Sequence, residues 1–203
     1  MRANRSPLIV AALLVLGLAA CNKTAPGVAT DADMSLGNPQ AKVTVIEYAS
    51  ASCPHCARFN NDVFPAFKAK YIDTGKIHYV FREFLTPPME VAAAGFLTAR
   101  CAGKDKYFSA LDAIYRGQQA MFQSQDYHGA LLRVAQSEGL SEDQFNACVS
   151  DEASIKALND RVGKAEKDGI DSTPTFLVNG KKLIGEQTIA TLSAAIDAAQ
   201  AGS

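Results

Sequence analysis

The chain contains no tryptophan among its 203 residues, only three histidines and four methionines, and no surplus of charge, with 20 basic residues against 21 acidic. Each shortage closes off something. Without a basic excess or a Lys/Arg run there is no electrostatic footprint for nucleic acid or another polyanion. Methionines scattered singly make no Met-rich metal-carrying segment. There is no internal repeat, and no low-complexity tract beyond one short linker. The longest apolar stretch, Leu8 to Ala20, has 13 residues, short of the roughly 20 that a helix needs to cross a bilayer. What remains is the length of one domain, or one domain with an insertion. Its 48% hydrophobic content is enough for a core.

Arg2 and Arg5 precede the apolar stretch, and small residues close it before a cut site. That combination describes a secretory signal over residues 1–20. Its end, Leu18-Ala19-Ala20-Cys21, resembles the lipobox of bacterial lipoproteins. The resemblance implies cleavage before Cys21 and a diacylglycerol on its sulfur, and two or three acyl chains anchor a protein stably where one does so only marginally. Ordinary cleavage near Ala20 is the alternative, and would leave Cys21 a free thiol. Residues 21–38, polar and small with Pro26, Gly27 and Gly37, read as a tether. Five cysteines are an odd number for an oxidising compartment. With Cys21 lipidated, Cys53 is left with Cys56 and Cys101 with Cys148.

Val43-Thr44-Val45-Ile46-Glu47-Tyr48 is β-branched and apolar on both alternating faces until Glu47, as a strand covered on both sides requires. The following Cys53-Pro54-His55-Cys56 opens a helix striped by Phe59, Val63, Phe67 and Tyr71, with a kink expected at Pro65. Ile77 to Phe81 reads as a second strand. From Met89 to about Lys167 only helical stripes are present, one built on Tyr107, Leu111, Ile114 and Tyr115. A capping box at Ser141 opens a short helix, and Asp151 caps a longer one. Strands return at Thr175 to Val178 and Lys182 to Ile184 around the Asn179-Gly180 turn, and Thr188 to Ala199 closes the chain as a helix. The order is βαβ, helical insertion, ββα: an α/β domain from residues 39–86 and 170–203, with residues 87–169 as an all-helical insertion.

Zinc sites also use C-x-x-C, so context decides here. Cys53 falls at a helix N-terminus, where unpaired N–H groups and the helix dipole favour an anion. Pro54 suits the first turn, and His55 adds a donor or a positive charge. Such settings lower a thiol pKa to roughly 3.5–7.5. Cys53 is therefore expected to be the exposed, attacked sulfur, and Cys56, one turn in, the buried resolving thiol. A stabilised thiolate is a good leaving group and makes the disulfide form oxidising. Glu47, six residues before Cys53, is either a proton relay for Cys56 or a strand-end acid meeting solvent. Thr173-Pro174, just before the third strand, would present backbone beside the disulfide if its peptide bond were cis.

Taken together, Leu36 to Tyr48 running into Cys53-Pro54-His55-Cys56, with Ser172-Thr173-Pro174-Thr175-Phe176 and the Asn179-Gly180 hairpin, resemble the DsbA-type thioredoxin-like proteins over residues 36–200. The resemblance implies a thioredoxin fold and a periplasmic dithiol oxidase acting on reduced secreted proteins. It implies Pro174 as the cis-proline, Glu47 as the buried acid, and a quinone-linked membrane protein as reoxidant. No cofactor beyond the Cys53–Cys56 disulfide and no metal is implied. A lipid anchor is atypical of the soluble members, and Thr173 before the proline is a type seen in disulfide isomerases as well. A disulfide isomerase or reductase, and a metal carrier on Cys53, Cys56 and His55, are the rival readings. Cys101 and Cys148 are expected to form a structural disulfide, against two separate buried thiols or a second redox centre. His78 and His128 read as structural or surface residues.

Overall fold

A computed structural model describes residues 28–202. The signal segment and Cys21 lie outside the described residues. The apolar run Val43–Ala49 forms β2, the middle strand of a five-stranded sheet of β1 (Met34–Gly37), β2, β3 (Ile77–Glu83), β4 (Thr175–Val178) and β5 (Lys181–Ile184), ordered β1-β3-β2-β4-β5. Burial on both faces fits its composition. β3 (Ile77–Glu83) lies parallel to it, in register from Val43 with Ile77 to Ala49 with Glu83. β4 (Thr175–Val178) lies antiparallel on the other side and turns through Asn179-Gly180 into β5 (Lys181–Ile184). Both turn residues have positive φ, 45° and 86°, as the tight hairpin turn demands.

The crossover from β2 to β3 is helical but irregular. α1 (Pro54–Arg58) runs into a π segment, Phe59–Val63, then α2 (Phe64–Phe67) and a second π segment, Lys68–Ile72. Pro65 stands in the first turn of α2. It has no N–H to give the ladder, so the kink expected there takes the form of widened turns on either side. Phe59 and Phe67 remain buried and pack on the sheet, Phe59 at 4.8 Å from Phe176 and Phe67 at 6.3 Å from Tyr79 between ring centroids. α8 (Ile189–Ala201), capped by a Thr188–Thr191 capping box, packs on β2 and β4. The insertion holds α3 (Met89–Cys101), α4 (Tyr107–Ser124), α5 (Tyr127–Ser137), α6 (Glu142–Val149) and α7 (Glu152–Lys167).

The tether reading over residues 21–38 needs correction at its end. Met34–Gly37 form β1, antiparallel to β3 with Met34 opposite Phe81. Nothing in Met-Ser-Leu-Gly signals a strand. It becomes one because the β3 edge offers hydrogen-bond partners and because Asp33, just before it, is buried against Arg82 at 2.9 Å.

Two links fasten the insertion. Cys101 at the end of α3 is bonded to Cys148 in α6, a closure worth about 4 kcal/mol in the chain-entropy model. Glu83, the last residue of β3 and buried, accepts from the Arg100 and Arg161 guanidiniums, the latter at 2.6 Å, and from Tyr107 at 3.3 Å. One carboxylate thus joins the sheet to α3, α4 and α7. Glu83→Ala leaves both guanidiniums unpaired and is expected to cost about 3 kcal/mol of stability, read as a fall in the denaturation midpoint. An unchanged midpoint would mean that Glu83 does not fasten the insertion to the sheet.

Candidate active site

The peptide leaving β2 is pinned before it reaches the first cysteine. Phe84 N–H donates to the Ala49 carbonyl at 2.8 Å. The Ser52 hydroxyl donates to the Thr86 carbonyl at 2.7 Å, and Thr86 N–H to the Ser50 hydroxyl at 3.2 Å. From the insertion, the buried Gln118 amide of α4 donates to the carbonyls of Ala51 at 2.8 Å and Cys53 at 3.2 Å. Gly95 of α3 stands so close that an added Cβ would lie 2.9 Å from the Ala51 Cβ. Gln118 and Gly95 are site-building residues that motif reading missed.

Cys53 is the N-cap of α1, with Pro54 in the first turn, as the motif suggested. Its sulfur accepts from Cys56 N–H at 3.4 Å. The Cys56 thiol beside it lowers its pKa most. Burial opposes this, while the Thr173 hydroxyl and the N–H groups of Cys56 and His55 add to it, and the result is about 5 against an ordinary 9.0. As a thiol, Cys53 donates to the Thr173 carbonyl at 3.4 Å, and the buried Thr173 hydroxyl then has no partner. An ionised sulfur gives that hydroxyl an acceptor. The Thr173–Pro174 peptide is cis. Burial, reinforced by Cys53, pushes the Cys56 thiol well up. Cys53 is less accessible than the sequence suggested, at 6% exposure against none for Cys56.

Glu47 is not a strand-end acid. β2 continues to Ala49, and the carboxyl is 3% exposed, accepting from the Tyr79 hydroxyl at 2.6 Å. Burial raises its pKa to about 8 against the Tyr79 hydrogen bond, and the Cys53 charge adds to the rise. The His55 ring is half-turned to other company: its Nδ1 lies 2.5 Å from Arg58 Nη2 and 3.4 Å from Glu186 Oε1. Its help to Cys53 comes through its N–H. Arg58 also pairs with Glu186 at 2.7 Å, joining α1 to the segment before α8. His78, in β3, and His128, whose Nε2 lies 3.0 Å from Asn146 Oδ1, stand outside this constellation. Among the described residues no group of three or more His, Cys, Asp or Glu gathers to hold a metal, and no helix is long and apolar enough to cross a membrane.

A family model described as thioredoxin matches residues 29–198. A Rickettsia conorii protein bearing the name protein-disulfide oxidoreductase is 39% identical over 173 residues, covering 83% of this chain and 61% of its own length. A Rickettsia bellii protein of the same name is 37% identical over 171 residues, covering 82% and 64%. The chain thus spans about three fifths of the length of these relatives. The crystal structure of Wolbachia pipientis alpha-DsbA1 superposes with a TM-score of 0.78 at 28% identity, covering 86% of this chain and 94% of that one.

A Cys53 pKa near 5 with Cys56 held protonated sets how the redox couple takes up protons. Above that pKa, reduction adds two electrons and one proton, so the reduction potential should fall by about 30 mV per pH unit, steepening to about 60 mV per pH unit below it. Potentials measured against pH check this. A slope near 60 mV per pH unit through neutrality would mean that Cys53 is protonated there.

Proposed function

The chain belongs to the thioredoxin family, and within it to the DsbA-type proteins, and we propose that it works as a thiol–disulfide oxidoreductase, specifically a dithiol oxidase of the bacterial cell envelope. One observation carries the direction: the Cys53 pKa is lowered to about 5 from an ordinary 9.0, while burial pushes the Cys56 thiol well up. A sulfur stable as a thiolate leaves readily and favours the reduced enzyme, so the disulfide is a strong oxidant.

The cycle needs only the two sulfurs. A substrate thiolate attacks Cys53 of the Cys53–Cys56 disulfide, a substrate-to-Cys53 bond forms, and Cys56 leaves and takes a proton. The substrate's second thiolate then attacks its own sulfur in the mixed disulfide. The substrate departs oxidised, and Cys53 leaves as the thiolate that the Cys56 thiol, the Thr173 hydroxyl and the α1 N–H groups stabilise. Glu47, with a pKa of about 8, takes and returns the Cys56 proton near neutral pH. The cis Thr173–Pro174 peptide lies beside Cys53 and offers backbone to an extended substrate. The substrates are reduced secreted proteins, and a quinone-linked membrane protein restores the disulfide.

The reduction potential, from equilibration in glutathione buffers with a thiol-alkylation gel shift, tests the direction. The expected value lies above about −180 mV, towards −120 mV, and one near −270 mV would make the protein a reductase. Cys56→Ala should accumulate mixed disulfides with reduced protein substrates, since the resolving thiol is missing. Anchoring through Cys21 supports an envelope location and follows from the lipobox-like Leu18-Ala19-Ala20-Cys21. Cys21→Ser should move the protein from the membrane to the soluble fraction, and retention in the membrane would refute that anchor.

A further inference from the structure

A groove of about 650 Å³ lies open between α1 and α4, a size typical of ligand clefts. It starts at Ser52 and Pro54, the residues on either side of Cys53, and its α4 wall carries Arg116, Gln119, Phe122 and Gln123. Thr173 and Pro174 are not on its walls. The groove is therefore separate from the cis-proline backbone, and both begin at the same sulfur.

Its walls carry charge of one sign. Arg58 and Arg116 line it, and no carboxylate does. Arg58 is already engaged, with Nε on Glu186 at 2.7 Å and Nη2 on His55 Nδ1 at 2.5 Å. Arg116 is engaged only through Nε, which donates to Asp112 at 2.7 Å. Its Nη groups have no hydrogen-bond partner among the described residues, and the side chain is 56% exposed. Gln119 and Gln123 are exposed and stand four residues apart, on one face of α4. Their side-chain amides have no partner among the described residues either. An amide offers a donor and an acceptor together, which is what a peptide group needs. Free polar side chains are ordinary on an exposed helix, but here they share a concave wall that starts beside the sulfur a substrate attacks.

We propose that this groove takes the chain of a substrate protein next to its attacking cysteine, and favours segments that carry aspartate or glutamate there. The proposal deepens the oxidoreductase reading above and rests on it. With the substrate sulfur on Cys53, the substrate backbone follows the groove, its peptide groups meeting Gln119 and Gln123 and its carboxylate meeting the free Nη groups of Arg116. The net charge of the whole chain is −1, so a preference for acidic segments comes from the groove and not from the field of the whole molecule. An exposed pair of this kind is weak, and it sorts substrates more than it holds them.

The test uses the oxidised protein in a single turnover. Its Cys53–Cys56 disulfide is reduced by two-cysteine peptides that are identical except for two residues beside one cysteine. These are aspartates in one peptide and lysines in the other, placed before the cysteine in one series and after it in a second. The rate is read by acid quench and thiol alkylation. The aspartate-to-lysine rate ratio is compared between proteins, which cancels the peptides' own reactivity. In at least one series, Arg116→Glu should lower that ratio roughly fivefold, and Gln119→Glu, which leaves the Arg116–Asp112 pair in place, roughly threefold. Both losses should fade in about 1 M salt, where charges are screened within about 3 Å. Dithiothreitol, uncharged and without a flanking chain, should reduce all three proteins at one rate. A ratio unchanged in both variants and both series overturns the groove as a substrate site. So does a fall in the dithiothreitol rate as large as the fall for the aspartate peptide, which would place the effect on the disulfide itself. A protein that neither the peptides nor dithiothreitol reduces would lack the redox activity altogether, so failure of the oxidoreductase reading is told apart from failure of the groove.

Discussion

A negative charge on a nearly buried sulfur has to be stabilised by donors placed within hydrogen-bonding reach, because desolvation alone would drive the Cys53 pKa upward. The donors here are the Cys56 thiol, the Thr173 hydroxyl and two N–H groups of the first turn of α1. They come from distant parts of the sequence, 120 residues apart for Cys53 and Thr173. The placement of the last strand pair against β2 is what brings Thr173 to the sulfur. The same charge acts on its neighbours with the opposite sign. It raises Cys56 and adds to the rise of Glu47. One thiol is thus ready to leave, the other is kept protonated, and a carboxyl nearby titrates near neutral pH. Groups pushed apart in this way have separate chemical roles.

These shifts survive only if the loop from Ser50 to Cys53 does not drift. The insertion provides that restraint. Gln118 spans two carbonyls of the loop, and Gly95 lets α3 approach the loop to van der Waals contact with Ala51. The insertion is in turn fixed to the sheet through Glu83 and closed on itself by Cys101–Cys148. The helical block therefore helps to build the candidate site around Cys53. The α1–α4 groove with Tyr115 on its wall exists only because the two units meet there.

The strands from β2 to β5, the N-capping Cys53, the Asn179-Gly180 turn and the Ser141 capping box were legible because each is a local pattern with a local physical cause. β1 was not, since Met34–Gly37 is a strand only by virtue of the β3 edge and the Asp33–Arg82 pair. Gln118 had left a trace: it falls on the apolar stripe of α4 with Tyr107, Leu111 and Tyr115, a polar residue in a core position. Arg58 and Glu186 had left none, because residues 128 apart in sequence give no pattern to read. The role of Glu47 turned on whether it faced solvent, and periodicity could not say so.

The sequence by itself determined the order of the elements from β2 onward, the Cys53–Cys56 pair at its helix N-terminus, and the pairing of Cys101 with Cys148. These depend on neighbours within a turn or a strand, where side-chain periodicity and backbone chemistry act directly. Only the tertiary structure decided which donors reach the Cys53 sulfur and that Glu47 is buried against Tyr79. Those facts depend on desolvation and on distances between segments far apart in the chain, and such quantities exist only once the sheet and the insertion have packed together.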